Sequence, residues 1–266
     1  MYREKTFQRQ GKPKINMRLL VIGDSCTDVF SYGDCDRICP EAPVPVFNPV
    51  EATSNGGMAK NVQANIQALS VECDILTNQN HITKSRYVDI KTNQMLLRVD
   101  ENDHTAEKFN KEKANLSLYD AVIVSDYNKG FLTNLDISWI CQKHSNTFVH
   151  SKKNFILPLG KDMRFFVINQ SEYEKSKEHY KKDNEDLNDI WMDKLIVTQG
   201  EDGCRYRKKI YPSPKAREVQ DLSGAGDTFL AAFAVRMTDS NDVSESLNFA
   251  NKCASQVVTK RGVSTV

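Results

Sequence analysis

Five short apolar runs recur along the chain: Arg18-Leu19-Leu20-Val21-Ile22, Ala121-Val122-Ile123-Val124, Phe148-Val149, Phe165-Phe166-Val167-Ile168 and Leu195-Ile196-Val197-Thr198. Runs this short, without polar alternation, read as strands buried on both faces. Between several of them lie helical patterns, over residues 61–69, 135–144 and 172–193. Strands alternating with helices make βαβ units, which close as a parallel sheet covered by helices. The expected fold class is therefore α/β. At 266 residues the chain suits one such domain over residues 18–266, behind a basic, polar, aperiodic tail over 1–17.

Two stretches do not fit a central sheet. Pro43-x-Pro45 and Pro49 interrupt residues 40–50, which suits an edge or protruding strand. Residues 87–99 alternate weakly and make a candidate partner for it. Together they predict a small lid standing off the main domain, with strands over about 32–50 and 84–99. Residues 172–193 are dense in charges of both signs and read as a solvated helix plus loop.

Bulk properties exclude several classes. A formal net charge of +1 gives no field to recruit nucleic acid or an anionic membrane. No apolar run approaches the roughly 20 residues of a membrane span, and the N-terminus lacks a signal-peptide core. Seven scattered cysteines, odd in number and without Cys-x-x-Cys, argue against a disulfide framework or a zinc site and for a reducing cytosol. Cys35 and Cys39 stand four apart, but no matching Cys/His pair follows to complete a metal site.

The strongest chemical signal is Asp221-Leu222-Ser223-Gly224-Ala225-Gly226-Asp227-Thr228, running into the apolar Phe229-Leu230-Ala231-Ala232-Phe233-Ala234-Val235. Two glycines before a helix let the backbone press close to a ligand and aim free N–H groups at one point. A helix start of this kind attracts anions, and Asp227 in its first turn would stand beside one as a base. An ordinary Gly-rich loop whose aspartate caps the helix would read the same in these eight residues. Asp24 and Asp28 follow the first strand, where ligands of parallel sheets bind, and can accept hydrogen bonds from sugar hydroxyls; either could equally cap a turn. Gly56, Gly57 and Asn61 make a second Gly-rich turn at a helix start, where bare backbone and an amide suit a polyol. Arg37, Lys84, Arg86 and Arg98 on the presumed lid would meet a substrate's own phosphate; taken singly, each is as readily a solvated surface residue.

The Asp221–Thr228 segment resembles the anion-hole signature of the ribokinase-like (PfkB) carbohydrate kinases. Further segments match in the same order: Val21-Ile22-Gly23-Asp24-Ser25-Cys26-Thr27-Asp28, Gly56-Gly57-Met58-Ala59-Lys60-Asn61-Val62, Thr83-Lys84-Ser85-Arg86-Tyr87-Val88, Val122-Ile123-Val124-Ser125-Asp126-Tyr127-Asn128-Lys129-Gly130 and Asn169-Gln170-Ser171-Glu172. The tail from Phe249-Ala250-Asn251-Lys252 to Gly262-Val263-Ser264-Thr265-Val266 completes the set. The piece most like the D-glycero-D-manno-heptose 7-phosphate kinases of that family is Arg37-Ile38-Cys39-Pro40-Glu41-Ala42-Pro43-Val44-Pro45-Val46. The resemblance covers roughly residues 18–266.

It implies a three-layer α/β/α fold with a mostly parallel central sheet and a β-sheet lid. It implies ATP with Mg²⁺ as cofactors and Asp227 as base for the anomeric hydroxyl, with Gly224, Ala225 and Gly226 forming the anion hole. It makes Asp28 the sugar-binding acid, and Asn169 with Glu172 the element that organises magnesium and water. Thr198, Gly200 and Gly203 would line the nucleotide's phosphate and ribose side, and Asn251 the adenine. Asp221, with Val263 and Ser264, would border a monovalent cation such as K⁺. Pairing of the lid between two chains would give a homodimer.

The chain departs from the family pattern in three places. Only fourteen residues separate Leu69 from Lys84, where relatives carry additional strand and helix. His150-Ser151-Lys152-Lys153 stands where an aspartate usually ends the strand. The chain also stops at Val266, without the final helix and the nucleotidyltransferase half that many bifunctional relatives carry. Three readings therefore stand: a heptose 7-phosphate kinase, a kinase for another sugar or a nucleoside, and a trimmed non-catalytic relative that binds nucleotide or sugar.

Overall fold

Strand β1 (Arg18–Gly23) shows why the sheet is buried on both faces: Leu19 and Val21 pack into one apolar cluster, Leu20 and Ile22 into another on the opposite side. The computed structural model describes residues 17–153, 163–180, 193–216 and 218–266. After β1 come β2 (Ser25–Asp34), β3 (Asn48–Met58), α1 (Ala59–Ala68), β4 (Glu72–Thr77), β5 (Thr83–Asp89) and β6 (Met95–Glu101). Then follow β7 (Ala121–Asp126), α2 (Asn134–Lys143), β8 (Thr147–Ser151), β9 (Phe165–Asn169), α3 (Gln170–Tyr180) and β10 (Leu195–Thr198). The chain finishes with β11 (Cys204–Tyr206), β12 (Lys209–Tyr211), α4 (Ala225–Ser240) and α5 (Val243–Val257).

The main sheet has the order β12-β11-β10-β9-β8-β7-β1-β4, parallel from β10 through β4 and antiparallel only in the β10–β11–β12 hairpins. Helices α1, α4 and α5 cover one face and α2 with α3 the other, which is the three-layer α/β/α arrangement. α4 lies inside its layer: every side chain from Asp227 to Met237 is buried, and Phe233 meets Phe148 and Phe165 edge-on at 5.7 and 5.0 Å. An almost continuously apolar helix is what such a sandwiched position demands.

β2, β3, β5 and β6 form a second, four-stranded sheet in the order β3-β2-β5-β6, mixed in direction because β5 runs parallel to β2. The lid strands thus occupy 25–34, 48–58, 83–89 and 95–101, where the sequence suggested about 32–50 and 84–99. The proline-bearing residues 35–47 form an irregular loop with a single bridge between Ile38 and Pro45. Pro49 is the second residue of edge strand β3, the kind of position where a sheet tolerates proline. The 83–99 segment pairs with β2, not with the proline-rich stretch, because β2 is the long regular strand between them.

β4 uses up the short segment after Leu69 and leaves the main sheet with an edge. Met17, assigned to the tail, is buried in the core, while residues 1–16 lie outside the described residues. The charged pattern over 172–193 is helical to Tyr180, and its remainder also falls outside them. None of the seven cysteines is in a disulfide among the described residues, and no group of three or more metal-binding side chains is gathered there. No helix among the described residues is long and apolar enough to cross a membrane.

α2 opens with a capping box: the Thr133 hydroxyl accepts from the Asp136 N–H (3.2 Å), and the Asp136 carboxylate accepts from the Thr133 N–H (2.9 Å). Thr133→Ala should cost about 1 kcal/mol, read as a lower urea midpoint at unchanged slope.

Candidate active site

The parallel strands deliver chemistry-bearing residues to one edge, since Gly23, Ser125 and His150 stand side by side at the carboxyl ends of β1, β7 and β8. There the lid folds over the start of α4. Between them lies a cleft of about 240 Å³, lined by Asp28, Lys84, Arg86, Arg98, Tyr127, Lys129, Lys152, Ser223, Gly224 and Asp227, with Cys26, Met58 and Val263 as its apolar part. Five cations and two carboxylates line it, and Asp100 and Asp103 pair with three of the five cations.

Asp227 is buried at the cleft floor. Its Oδ1 accepts from the Tyr127 hydroxyl (2.7 Å) and its Oδ2 from the Asn61 amide (3.1 Å). Burial pushes the carboxyl above its usual range; the Tyr127 and Asn61 hydrogen bonds, with His150 and Lys152 nearby, pull the other way. Gly224 precedes α4 with φ 80, in the left-handed region that favours glycine, and a Cβ there would stand 2.6 Å from the Asn61 amide nitrogen. The first helical bond of α4 is the Thr228 N–H to the Gly224 carbonyl, so the Gly226 and Asp227 amides precede the ladder. The Ala225 amide, grouped with them from sequence, instead turns back to the Leu222 carbonyl at 3.4 Å. Gly226 is exposed, and a side chain placed there would meet nothing within 4 Å.

The lid supplies the other wall. Asp28 Oδ1 pairs with the Arg86 guanidinium at 2.5 Å, both side chains buried, and Gly57 lies so close that a Cβ would reach Asp28 Oδ2 at 2.0 Å. Lys84 pairs with Asp100 and Asp103 at 3.0 and 2.9 Å, Arg98 with Asp100, and Lys129 with Asp103. Hydrogen bonds from Arg98, aided by Lys84, hold the Asp100 carboxyl down at about 2. Lys152 has no carboxylate in ion-pair contact among the described residues. Its ammonium lies over the Tyr127 ring, 4.1 Å from the centroid, and desolvation pushes it below its ordinary value.

Several residues singled out from sequence do other work. Asp24 is fully buried and spends both oxygens on the backbone N–H groups of Tyr127, Lys129 and Phe131 (2.8–3.1 Å), so it braces a loop and does not reach the cleft. Asn61 grips Asp227 and is absent from the lining. Gly56 and Gly57 end strand β3, and the turn into α1 falls on Met58. Arg37 is exposed on the 35–47 loop, away from the cleft lining.

Asn169 and Glu172 form a reciprocal helix cap at 2.8 and 2.9 Å. Burial would raise the Glu172 carboxyl, but the His150 ring at 3.6 Å and the Asn169 N–H hold it below its usual range. Thr198 ends β10, Gly200 opens the following turn, and a Cβ on Gly203 would strike the Tyr211 carbonyl. Asn251 is buried and donates to that same carbonyl at 2.7 Å. Asp221 accepts from the Ser223 N–H, and the Ser264 hydroxyl turns to the carbonyls of Arg261 and Gly262. Sequence reasoning assigned no role to Tyr127, Lys129 or Lys152. Their positions just past the carboxyl ends of β7 and β8 were the available signal.

A parallel α/β sheet whose lid closes on an acid at a bare helix start defines a phosphotransferase with a hydroxyl acceptor. Comparison with known proteins places the chain among them. Residues 56–266 match the pfkB family of carbohydrate kinases, and the chain belongs to that family. It is 31% identical to the bifunctional protein HldE of a Nitratiruptor species, over 93% of this chain and 63% of that protein. It is 30% identical to HldE of Haemophilus influenzae (strain PittEE), over 94% of this chain and 61% of that one. The chain thus spans less than two thirds of these curated relatives. Among solved structures, ribokinase from Thermotoga maritima superposes with a TM-score of 0.69 at 17% identity, covering 93% of this chain and 94% of that one. Arabidopsis thaliana ribokinase complexed with ribose and ATP gives 0.67 at 15%, again over 93% and 94%. These likenesses show the ribokinase-like fold.

Proposed function

We propose that this sugar kinase transfers the γ-phosphate of ATP to the anomeric hydroxyl of D-glycero-D-manno-heptose 7-phosphate, giving the 1,7-bisphosphate. The observation that carries this reading is Asp227, buried beside bare amides and facing five cations across one cleft. Four of these cations are paired with carboxylates that a phosphorylated acceptor can displace, and Lys152 has no carboxylate partner among the described residues.

The residues fit the cofactor. The amides of Gly226 and Asp227 and the open space beyond Gly226 suit a terminal phosphate, and Glu172, held ionised, suits a hydrated Mg²⁺. Bound MgATP supplies the phosphoryl group and draws off the negative charge that builds on it. Asp227 takes the proton of the acceptor hydroxyl, Asn61 and Tyr127 hold its carboxylate, and the start of α4 stabilises the equatorial oxygens. Asp28, in its pair with Arg86, orients sugar hydroxyls. Arg98 and Lys84, with Arg86 beside them, would meet the distal phosphate by exchanging Asp100 and Asp103 for it. Asp221 and Ser264 each turn to their own loop backbone, so no step is derived through a monovalent cation.

A homodimer through the lid is part of this reading. Leu97 and Val99 alternate with the cleft-lining Arg98, so they project from the other face, 55% and 37% exposed on edge strand β6. A small sheet gains stability by covering such a face.

Incubation with γ-labelled ATP and a panel of heptose, hexose and pentose phosphates tests the assignment. Transfer fastest to heptose 7-phosphate is expected. Transfer only to another sugar or a nucleoside would reassign the acceptor, and ATP binding without transfer to anything would leave a non-catalytic relative.

A further inference from the structure

The geometry points to Tyr127 as the positioning residue of the phosphoryl-transfer base: its hydroxyl, on a loop braced by Asp24, locks the Asp227 carboxylate from the side opposite Asn61. This rests on the kinase reading above and adds a residue to it.

Three observations converge on Tyr127. Its hydroxyl donates to Asp227 Oδ1 at 2.7 Å while Asn61 donates to Oδ2 at 3.1 Å, so each oxygen has one fixed donor and the carboxylate plane cannot rotate. The ring is seated from several sides: edge-on to His150 at 5.5 Å, beneath the Lys152 ammonium, and against Cys26, Met58 and Ile82. The backbone is pinned as well. Asp24, sealed from solvent, receives the N–H groups of Tyr127, Lys129 and Phe131, and Asn128 between them adopts a left-handed φ of 57. A buried acid with both oxygens committed to one loop is an expensive brace, and what that loop presents to the cleft is the Tyr127 hydroxyl and the Lys129 ammonium.

The balance of the step is simple. The acceptor O–H bond breaks and its proton goes to Asp227; the freed oxygen bonds to the γ-phosphorus as the bond to the ADP oxygen breaks. Tyr127 keeps its own proton throughout, since burial beside the Asp227 charge pushes its hydroxyl well above its usual range. Its contribution is to fix where the base points and to favour its ionised form against burial. The charged and titratable groups that act on Asp227 are Tyr127, His150 and Lys152 from β7 and β8, with Cys26 from β2.

Tyr127→Phe keeps the ring, its seat under Lys152 and its edge contact with His150, and removes one hydrogen bond. Turnover should fall about tenfold with the Michaelis constant for ATP unchanged, and the acid limb of kcat/KM should move to higher pH. In an Asp227→Asn background the same change should leave the residual rate within about twofold, because the two residues act as a unit. Carboxyl ¹³C titration, with the Asp227 signal identified by its loss in Asp227→Asn, gives a readout that needs no turnover: the Asp227 midpoint should rise in Tyr127→Phe. An unmoved midpoint, or a tenfold loss that persists on top of Asp227→Asn, would overturn the assignment. Failure of the wild type to phosphorylate any acceptor would strike the kinase reading instead, while the titration would still decide whether Tyr127 holds the carboxylate.

Discussion

Asp227→Asn should lower turnover about 10³-fold, the range for losing a well-placed general base, while the protein melts at the wild-type temperature or above it. The two halves have one cause. Burial raises the carboxyl, so ionising it near neutral pH opposes folding; a raised folded-state value contributes stability that is full below the unfolded value and fades as pH rises through the folded one. An uncharged amide of the same shape removes that opposition; its oxygen can still accept from Asn61, while its NH2 group faces the Tyr127 hydroxyl and reverses the direction of that bond. The melting-temperature difference between variant and wild type should therefore shrink as pH falls toward about 4, within the usual aspartate range. Retained turnover in Asp227→Asn would place the base elsewhere. A variant less stable at neutral pH would mean that the ionised acid is a net structural asset.

Arg86→Met should destabilise the protein by about 3–5 kcal/mol, the usual consequence of leaving one member of a buried ion pair alone. Asp28 is 7% exposed at its side chain and Arg86 11%; because both line the cleft, water can reach the bared carboxylate and holds the loss to the lower end of that range. Lys84 and Arg98 stand close by, but both are committed to Asp100. The guanidinium also caps the Phe30 ring at 4.9 Å, a contact that methionine only partly restores. Adding Asp28→Asn should recover most of the loss, because the double variant buries no net charge. Urea unfolding of the four proteins measures the coupling. If the double variant is as unstable as the sum of the singles, the pair matters through packing and not through charge. Sugar affinity should fall in all three variants.

The fold was legible because its cues are local. Leu19 to Ile22 and Val122 to Val124 are apolar on every residue, and runs that short suit a strand covered on both faces, where α4 needs a much longer one. The lid was legible as an exception to that pattern, but its strand limits were not. Residues 35–47 resemble a strand in apolar content, and only the long regular β2 settles which segment β5 joins. The site was partly legible. Asp28, Lys84, Arg86, Arg98, Gly224 and Asp227 come from four separate segments and converge on one cleft. The carbonyl that Asn251 meets was not legible, because a buried amide takes whichever one the packing offers, here that of Tyr211. Tyr127 went without a role because nothing in its own neighbourhood says that a hydroxyl 100 positions away from Asp227 will touch it.

Taken alone, the order of residues determined a parallel sheet covered by helices, a glycine-bearing helix start at Gly224 to Gly226, and the acid in its first turn. Periodicity and chain direction are properties of neighbours, and they survive without any long-range contact. Tertiary structure alone decided that Asp24 serves the backbone while Asp28 faces the cleft. The two acids are four residues apart and chemically identical, but one is surrounded by the amides of the 127–131 loop and the other by Arg86. What a buried carboxylate does is set by the donors that distant segments bring to it, and no stretch of sequence around the acid contains them.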